Sequence, residues 1–223
     1  LSLILLNHGH NYLFSYQIQS KPIKNMETIE VNSQPVFRVV IDKWSGDVFV
    51  GARNAIYRFS SNDLQKLDQA IIGPVNDSIK CLPFPSQCQY PRQLVPNDNK
   101  VLLMYYDKHK KKPPLLLACG NASQGICYVI QTDKSKSMST PARLGNNNET
   151  INFVSGRDST VAYFAPAIDG TKDVLYVANS YDGRPIDYTS YQVSSRHVRV
   201  KGTIKVNYDS FKLIQFAERE IVS

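Results

Sequence analysis

Short runs rich in β-branched and aromatic residues recur along this chain at hairpin spacing, each cut off by a turn, and that cadence restricts the fold more than any other feature. The stretch 36–59 holds Val36-Phe37-Arg38-Val39-Val40-Ile41, a turn at Asp42-Lys43-Trp44-Ser45-Gly46, then Asp47-Val48-Phe49-Val50-Gly51-Ala52 and Ala55-Ile56-Tyr57-Arg58-Phe59. The pattern predicts three antiparallel strands with Gly and Asn at the reversals. It returns between 100 and 130 as Val101 to Tyr106, Leu115 to Ala118 and Ile126 to Ile130. A third version runs through Thr160 to Ala165, Val174 to Ala178 and His197 to Val200.

Three meanders spaced roughly 50 to 60 residues apart have the period of a β-propeller. The middle strands support this, because Val48-Phe49-Val50 and Leu175-Tyr176-Val177 lack a polar break, as strands covered on both faces do. A β-sandwich would alternate more cleanly. The expected fold class is therefore all-β, a β-propeller. Three blades cannot close a ring, so the chain is expected to be an incomplete fragment of about three blades. Thirteen Tyr and nine Phe, with no long stretch of helix formers at helical spacing, agree with strands throughout.

The cysteines fix the compartment. Cys119 to Cys127 encloses two glycines and the sequon Asn121-Ala122-Ser123, directly after the apolar Leu115-Leu116-Leu117-Ala118. This reads as a strand end pinned by a disulfide in an oxidising environment, since the chain has no C-x-x-C and no His beside a Cys for metal or redox work. Leu1-Ser2-Leu3-Ile4-Leu5-Leu6 reads either as the tail of a signal-peptide apolar region or as a first β-strand, and is too short to span a bilayer. No other apolar run nears the roughly 20 residues a membrane helix requires, so any membrane anchor is expected outside this chain.

Four motifs in one order give the chain a family likeness. They are DVFVGARNAIYRFS from Asp47, GPVNDSIKC from Gly73, LLACGNASQGIC from Leu116 and DVLYVANSYDGRP from Asp173. In these the chain resembles the N-terminal part of a sema domain, and within that group a plexin ectodomain. Semaphorins share the fold but usually carry a Phe and a Pro where this chain has Ser123-Gln124-Gly125, and scatter-factor-type receptor kinases lack the SYDGRP element. The resemblance implies a sema-type propeller, seven-bladed when complete, of which residues 31–223 form blades one, two and most of three, with 1–30 an N-terminal lead-in. Four cysteines allow three connectivities. The family pattern implies neighbours, Cys81 with Cys88 and Cys119 with Cys127, although the first loop is shorter than plexins usually carry.

The resemblance further implies the extracellular part of a single-pass cell-surface receptor acting in cell guidance by binding a semaphorin ectodomain. A co-receptor or sulfated glycan is a further candidate partner. Plexins engage semaphorins along an edge built by the third and fourth blades, and the matching positions make Asp182 and Phe211 candidate contacts, as acid and aromatic anchor respectively. Each also has a bland reading, a tight turn and a core residue. The competing functions are a secreted semaphorin-type ligand and a secreted propeller hydrolase. The hydrolase needs carboxylates at the inner ends of successive strands, where the chain instead has Asp47, Lys100 and Asp173.

Other features carry less. The net charge of +7 raises the question of polyanions, but the densest basic run, Lys108-His109-Lys110-Lys111-Lys112, lacks interleaved aromatics and reads as a solvated hairpin loop, so no nucleic-acid partner is expected. His197, Arg199 and Lys201 would share one face of a strand, either as a basic binding stripe or as edge protection. His8 and His10 lack a third ligand, and no metal, cofactor or enzymatic motif is expected. Sequons at Asn76, Asn121 and Asn148 mark candidate glycosylation sites.

Overall fold

The computed structural model describes residues 2–8, 11–17, 31, 34–81, 88–107, 113–135, 137–139, 141–143, 159–166, 173–180, 193–197, 200, 201, 203 and 204. Among these the elements are strands, apart from a single 3-10 turn at Ala122–Gln124. No helix among them is long and apolar enough to cross a membrane. At the N-terminus β1 (Ser2–His8) and β2 (Asn11–Gln17) pair antiparallel, within the segment expected as a lead-in.

The first large sheet is a four-stranded meander of β3 (Val36–Ile41), β4 (Val48–Ala52), β5 (Ala55–Phe59) and β6 (Lys66–Ile71). Its reversals follow from local chemistry. The Asp42 carboxylate accepts the backbone N–H groups of Trp44 and Ser45 and the Ser45 hydroxyl, forming an Asx turn, and Gly46 supplies the left-handed φ of 74°. At the tighter β4–β5 reversal Asn54 takes φ 66°, a conformation that Asn tolerates better than most residues.

A short ladder of β7 (Val75–Asp77) and β8 (Gln93–Val95) leads to the second sheet: β9 (Asn99–Tyr105), β10 (Leu115–Gly120), β11 (Cys127–Gln131) and β12 (Ala142–Arg143), again a meander. The third contains β13 (Thr160–Pro166), β14 (Asp173–Asn179) and β15 (Val193–His197). A last ladder joins β16 (Val200–Lys201) to β17 (Thr203–Ile204).

The period-two alternation of strand side chains decides how the sheets stack. From β10, Leu116 and Ala118 turn toward the first sheet and pack with Phe49, Ile56, Ala70, Ile72, Leu102 and Ile130. Leu117 and Cys119 turn the other way, toward Leu175 and Val177 of the third sheet. The second sheet is therefore covered on both faces, which is why β10 reads as a continuous apolar run. Phe49, Ile56, Leu116 and Ile130 are among the largest fully buried side chains, each contributing roughly 1.5–3 kcal/mol by leaving water. On β4, Val48 and Val50 join Val31, Tyr57 and Phe59 on the opposite face of the first sheet. The sheets stack as blades without closing a ring, so the molecule is part of a β-propeller.

Two expectations change. The cadence marks three strands in each of the first two units, and the structure adds β6 and β12, edge strands that need only one covered face and so carry polar residues such as Lys66, Asp68 and Gln69. The single strand expected from His197 to Lys201 is divided: His197 ends β15 opposite Val174, whereas Lys201 lies in the separate β16–β17 ladder, and Arg199 lies outside the described residues. Alternating basic and apolar residues permit a strand but do not choose its partner, and pairing with β14 ends where its register does.

Candidate recognition surface at the blade ends

The motif residues that lie far apart in sequence meet at one rim of the stacked sheets. There β4 and β10 end while β5, β9 and β11 begin, and each strand leaves polar backbone groups that the ladder does not pair. Asn97 closes this gap. Its Nδ2 donates to the Ile72 carbonyl at 2.8 Å, its Oδ1 accepts the Ala122 N–H at 3.0 Å, and its own N–H donates to Asn54 Oδ1 at 2.8 Å. One buried carboxamide thus ties the end of the first sheet to the disulfide loop of the second.

Its neighbours repeat the device. Arg53 grips Asp98 with two nitrogens, Nε at 2.7 Å and Nη2 at 3.1 Å, and the pair raises the guanidinium pKa further through that hydrogen bond, against a smaller opposing effect of burial. The Asp98 N–H donates to Asn121 Oδ1 at 2.8 Å, and the Ser123 N–H donates to the buried Asp77 carboxylate at 2.7 Å. Asn99 is fully buried and donates to the Val101 and Cys119 carbonyls, leaving its Oδ1 without a hydrogen bond. Gly51 and Gly120 are needed because a Cβ would collide with Asn99 Oδ1 and Asn97 Oδ1, respectively. The loop is held from the other side by the Cys119–Cys127 bridge between directly paired residues of β10 and β11. A second bridge joins Cys81 to Cys88.

The opposite rim is built from ion pairs and rings. Arg58 and Asp47 are both buried and joined through Nε and Nη2, and Arg58 Nη1 continues to the Thr132 carbonyl at 3.1 Å, linking first sheet to second. The Tyr106 hydroxyl donates to Asp42 at 3.0 Å and accepts the Lys43 N–H at 2.8 Å. Lys43 Nζ lies 4.1 Å above the Tyr106 ring, and Trp44, 54% exposed, packs against that ring at a tilt of 57° with 5.4 Å between centroids. Burial raises the Asp42 carboxyl pKa, but the hydrogen bonds from Trp44, Ser45 and Tyr106 outweigh it and hold the group below its ordinary range. Tyr106 is pushed up to about 12, first by burial and then by the Asp42 carboxylate. Burial and the nearby Asp173 and Asp107 charges push Tyr105 higher still, and its hydroxyl bonds Asp173.

These geometries sort the sequence candidates. Asp47 is committed to Arg58 and Asp173 to Tyr105, so both acids the hydrolase reading singled out have structural partners. Asn76 is exposed on β7, whereas the Asn121 side chain is engaged by Asp98. Asn148, Asp182, Phe211 and the run Lys108 to Lys112 lie outside the described residues. The segment bearing Asp182 follows Ser180, whose N–H donates to the Ser159 carbonyl where the β13–β14 hairpin ends. Sequence reasoning passed over Asn97-Asp98-Asn99, though a polar triplet at the mouth of an apolar strand is a signal for a blade-end clasp. It also missed the pairing of Trp44 with Tyr106, which no spacing rule connects.

No protein-family model matches the chain. Plexin-A4 of Danio rerio is 33% identical over 153 residues, 66% of this chain and 7% of that protein. Plexin-A4 of Homo sapiens is 27% identical over 190 residues, 82% of this chain and 10% of that protein. A solved structure of the full extracellular region of plexin A4 matches with a TM-score of 0.56 and 26% identity, over 76% of this chain and 17% of that one. The chain thus spans 7% and 10% of the length of those two curated relatives. Likeness in sequence and in fold over most of its residues places this chain in the plexin family, as a partial sema propeller matching the extracellular region.

Proposed function

We propose that this chain is the ligand-recognition part of a plexin-like receptor, exposed outside the cell and binding a semaphorin ectodomain through loops held on rigid blades. The observation that carries the reading is its match to the plexin A4 extracellular region over three quarters of its length. The clasped blade ends support it, because a recognition loop gains affinity when its supports are ordered before binding, and the junction at Asn97 orders them without a ligand. Asp182 and Phe211 are the contacts, the first pairing with a basic group of the partner and the second filling an apolar pocket. Residues 31–223 act as one partial sema domain, and the membrane is reached through a segment elsewhere in the protein.

Surface plasmon resonance of the complete propeller, made in a secretory system, against a panel of semaphorin ectodomains tests this. Binding to at least one is expected, and binding to none overturns the receptor reading. Asp182→Arg should weaken that interaction at least ~10-fold, the scale of losing one interfacial charge pair. An unchanged Kd with a normal thermal midpoint removes Asp182 from the interface.

A further inference from the structure

The sequons at Asn76 and Asn121 occupy opposite environments, and we infer that of these two Asn76 alone carries an N-linked glycan, which covers an exposed apolar side chain on the β7–β8 ladder. Asn76 is exposed, while its neighbour Asp77 points inward to the Ser123 N–H, so the period-two strand turns the Asn76 side chain to solvent. Directly across the ladder stands Leu94, 71% exposed. Opposed residues on one face have Cβ atoms only ~5 Å apart, so the first sugar on Asn76 lies beside Leu94. Among the described residues the ladder has two strands, and a bulky polar group there also blocks pairing with a further strand.

Asn121 is withdrawn from the same chemistry. Its Oδ1 accepts the Asp98 N–H, its backbone N–H donates to the Asp98 carbonyl, and the next two N–H groups are taken by Asn97 and Asp77. Ser123, whose hydroxyl completes the sequon, is 3% exposed in a left-handed turn with φ 49°. The transferase requires the Asn amide and that hydroxyl together on an accessible segment. Cys119–Cys127 closes the loop over a sequence separation of 8, a short closure that forms readily as the chain folds. In the transfer to Asn76 the amide nitrogen bonds to C1 of the first sugar of a lipid-diphosphate-linked oligosaccharide. The bond from C1 to the diphosphate oxygen breaks with its electron pair, the lipid diphosphate leaves, and the amide gives up one proton.

The test is glycopeptide mass spectrometry on the full-length protein from animal cells, with enzymatic deglycosylation in heavy-oxygen water marking each occupied Asn. The expected result is a mark at Asn76 and none at Asn121, and an unmarked Asn76 or a marked Asn121 in secreted protein overturns the inference. Ser78→Ala should erase the Asn76 mark. Cys119→Ser with Cys127→Ser should let Asn121 acquire one, read on cell-retained protein so that misfolding does not hide it, and a bare Asn121 there refutes protection by loop closure. For the covering role, Asn76→Gln should increase self-association in sedimentation velocity and adding Leu94→Ser should reverse the increase. An unchanged sedimentation profile in Asn76→Gln refutes that role.

Discussion

Removing Asp47 should open the first blade, because it strands a guanidinium that the fold has taken out of water. The Arg58 and Asp47 side chains are 5% and 2% exposed, and among the described residues the guanidinium's other contacts are the Thr132 carbonyl and the face of Phe49, 5.6 Å from its centre. Breaking such a pair from one side costs ~3–5 kcal/mol, since the remaining charge stays buried without its counter-ion. At about 1.4 kcal/mol per tenfold, Asp47→Ala should raise the local opening constant by two to nearly four powers of ten. Hydrogen–deuterium exchange of β4 and β5 peptides in the intact extracellular region reads this quantity directly, and amides of the third sheet serve as an internal reference. Arg58→Met should cost less, because Lys134 Nζ lies 3.7 Å from the Asp47 carboxylate and remains to face it. Asp47→Leu with Arg58→Met removes both charges and should restore most of the protection. If Asp47→Ala changes β4 and β5 exchange less than tenfold, or if the double variant exchanges as fast as Asp47→Ala, an uncompensated buried charge is not what the pair prevents.

Two further outcomes follow from the rims. Gly120→Ala places a Cβ against the Asn97 carboxamide and displaces a group that satisfies both Ile72 and Ala122, at roughly 1–3 kcal/mol for each buried partner left unpaired; secretion should fall with the thermal midpoint, and wild-type values of both would refute the clasp. Asp42 and Tyr106 give the first blade opposite pH limits. The lowered Asp42 pKa makes its contribution complete above 3.8 and lost as pH falls below that value, whereas the raised Tyr106 pKa makes its contribution complete below 10.0 and lost as pH climbs toward about 12. Asp42→Asn should therefore flatten the acid limb of the thermal midpoint plotted against pH, and an unaltered acid slope would show that the turn carries no such linkage.

Much of the blade pattern was legible because it is local. Val48-Phe49-Val50 and Leu116-Leu117-Ala118 are apolar at every position, which is what a strand covered on both faces requires, and the turn residues between them sit where the chain reverses. The short strand β12 was not legible, since two residues carry no period, and neither was the separation of β15 from β16, which depends on which strand each residue finds as a partner.

The candidate surface divides in the same way. Sequence alone determined that the chain is built of strand meanders, that Cys119 to Cys127 marks an oxidising compartment, and that its four motifs belong together in a plexin-like order, because composition, spacing and motif order are written along the chain. Only the tertiary structure decided what the motif residues do to one another. Asn54, Asn97, Asp98 and Asn121 are separated by up to 67 positions, yet they share one hydrogen-bonded junction. Their buried backbone groups had to be satisfied by whatever the stacking of blades brought within reach. The same stacking engaged the Asn121 side chain with the Asp98 backbone and left Asn76 facing solvent.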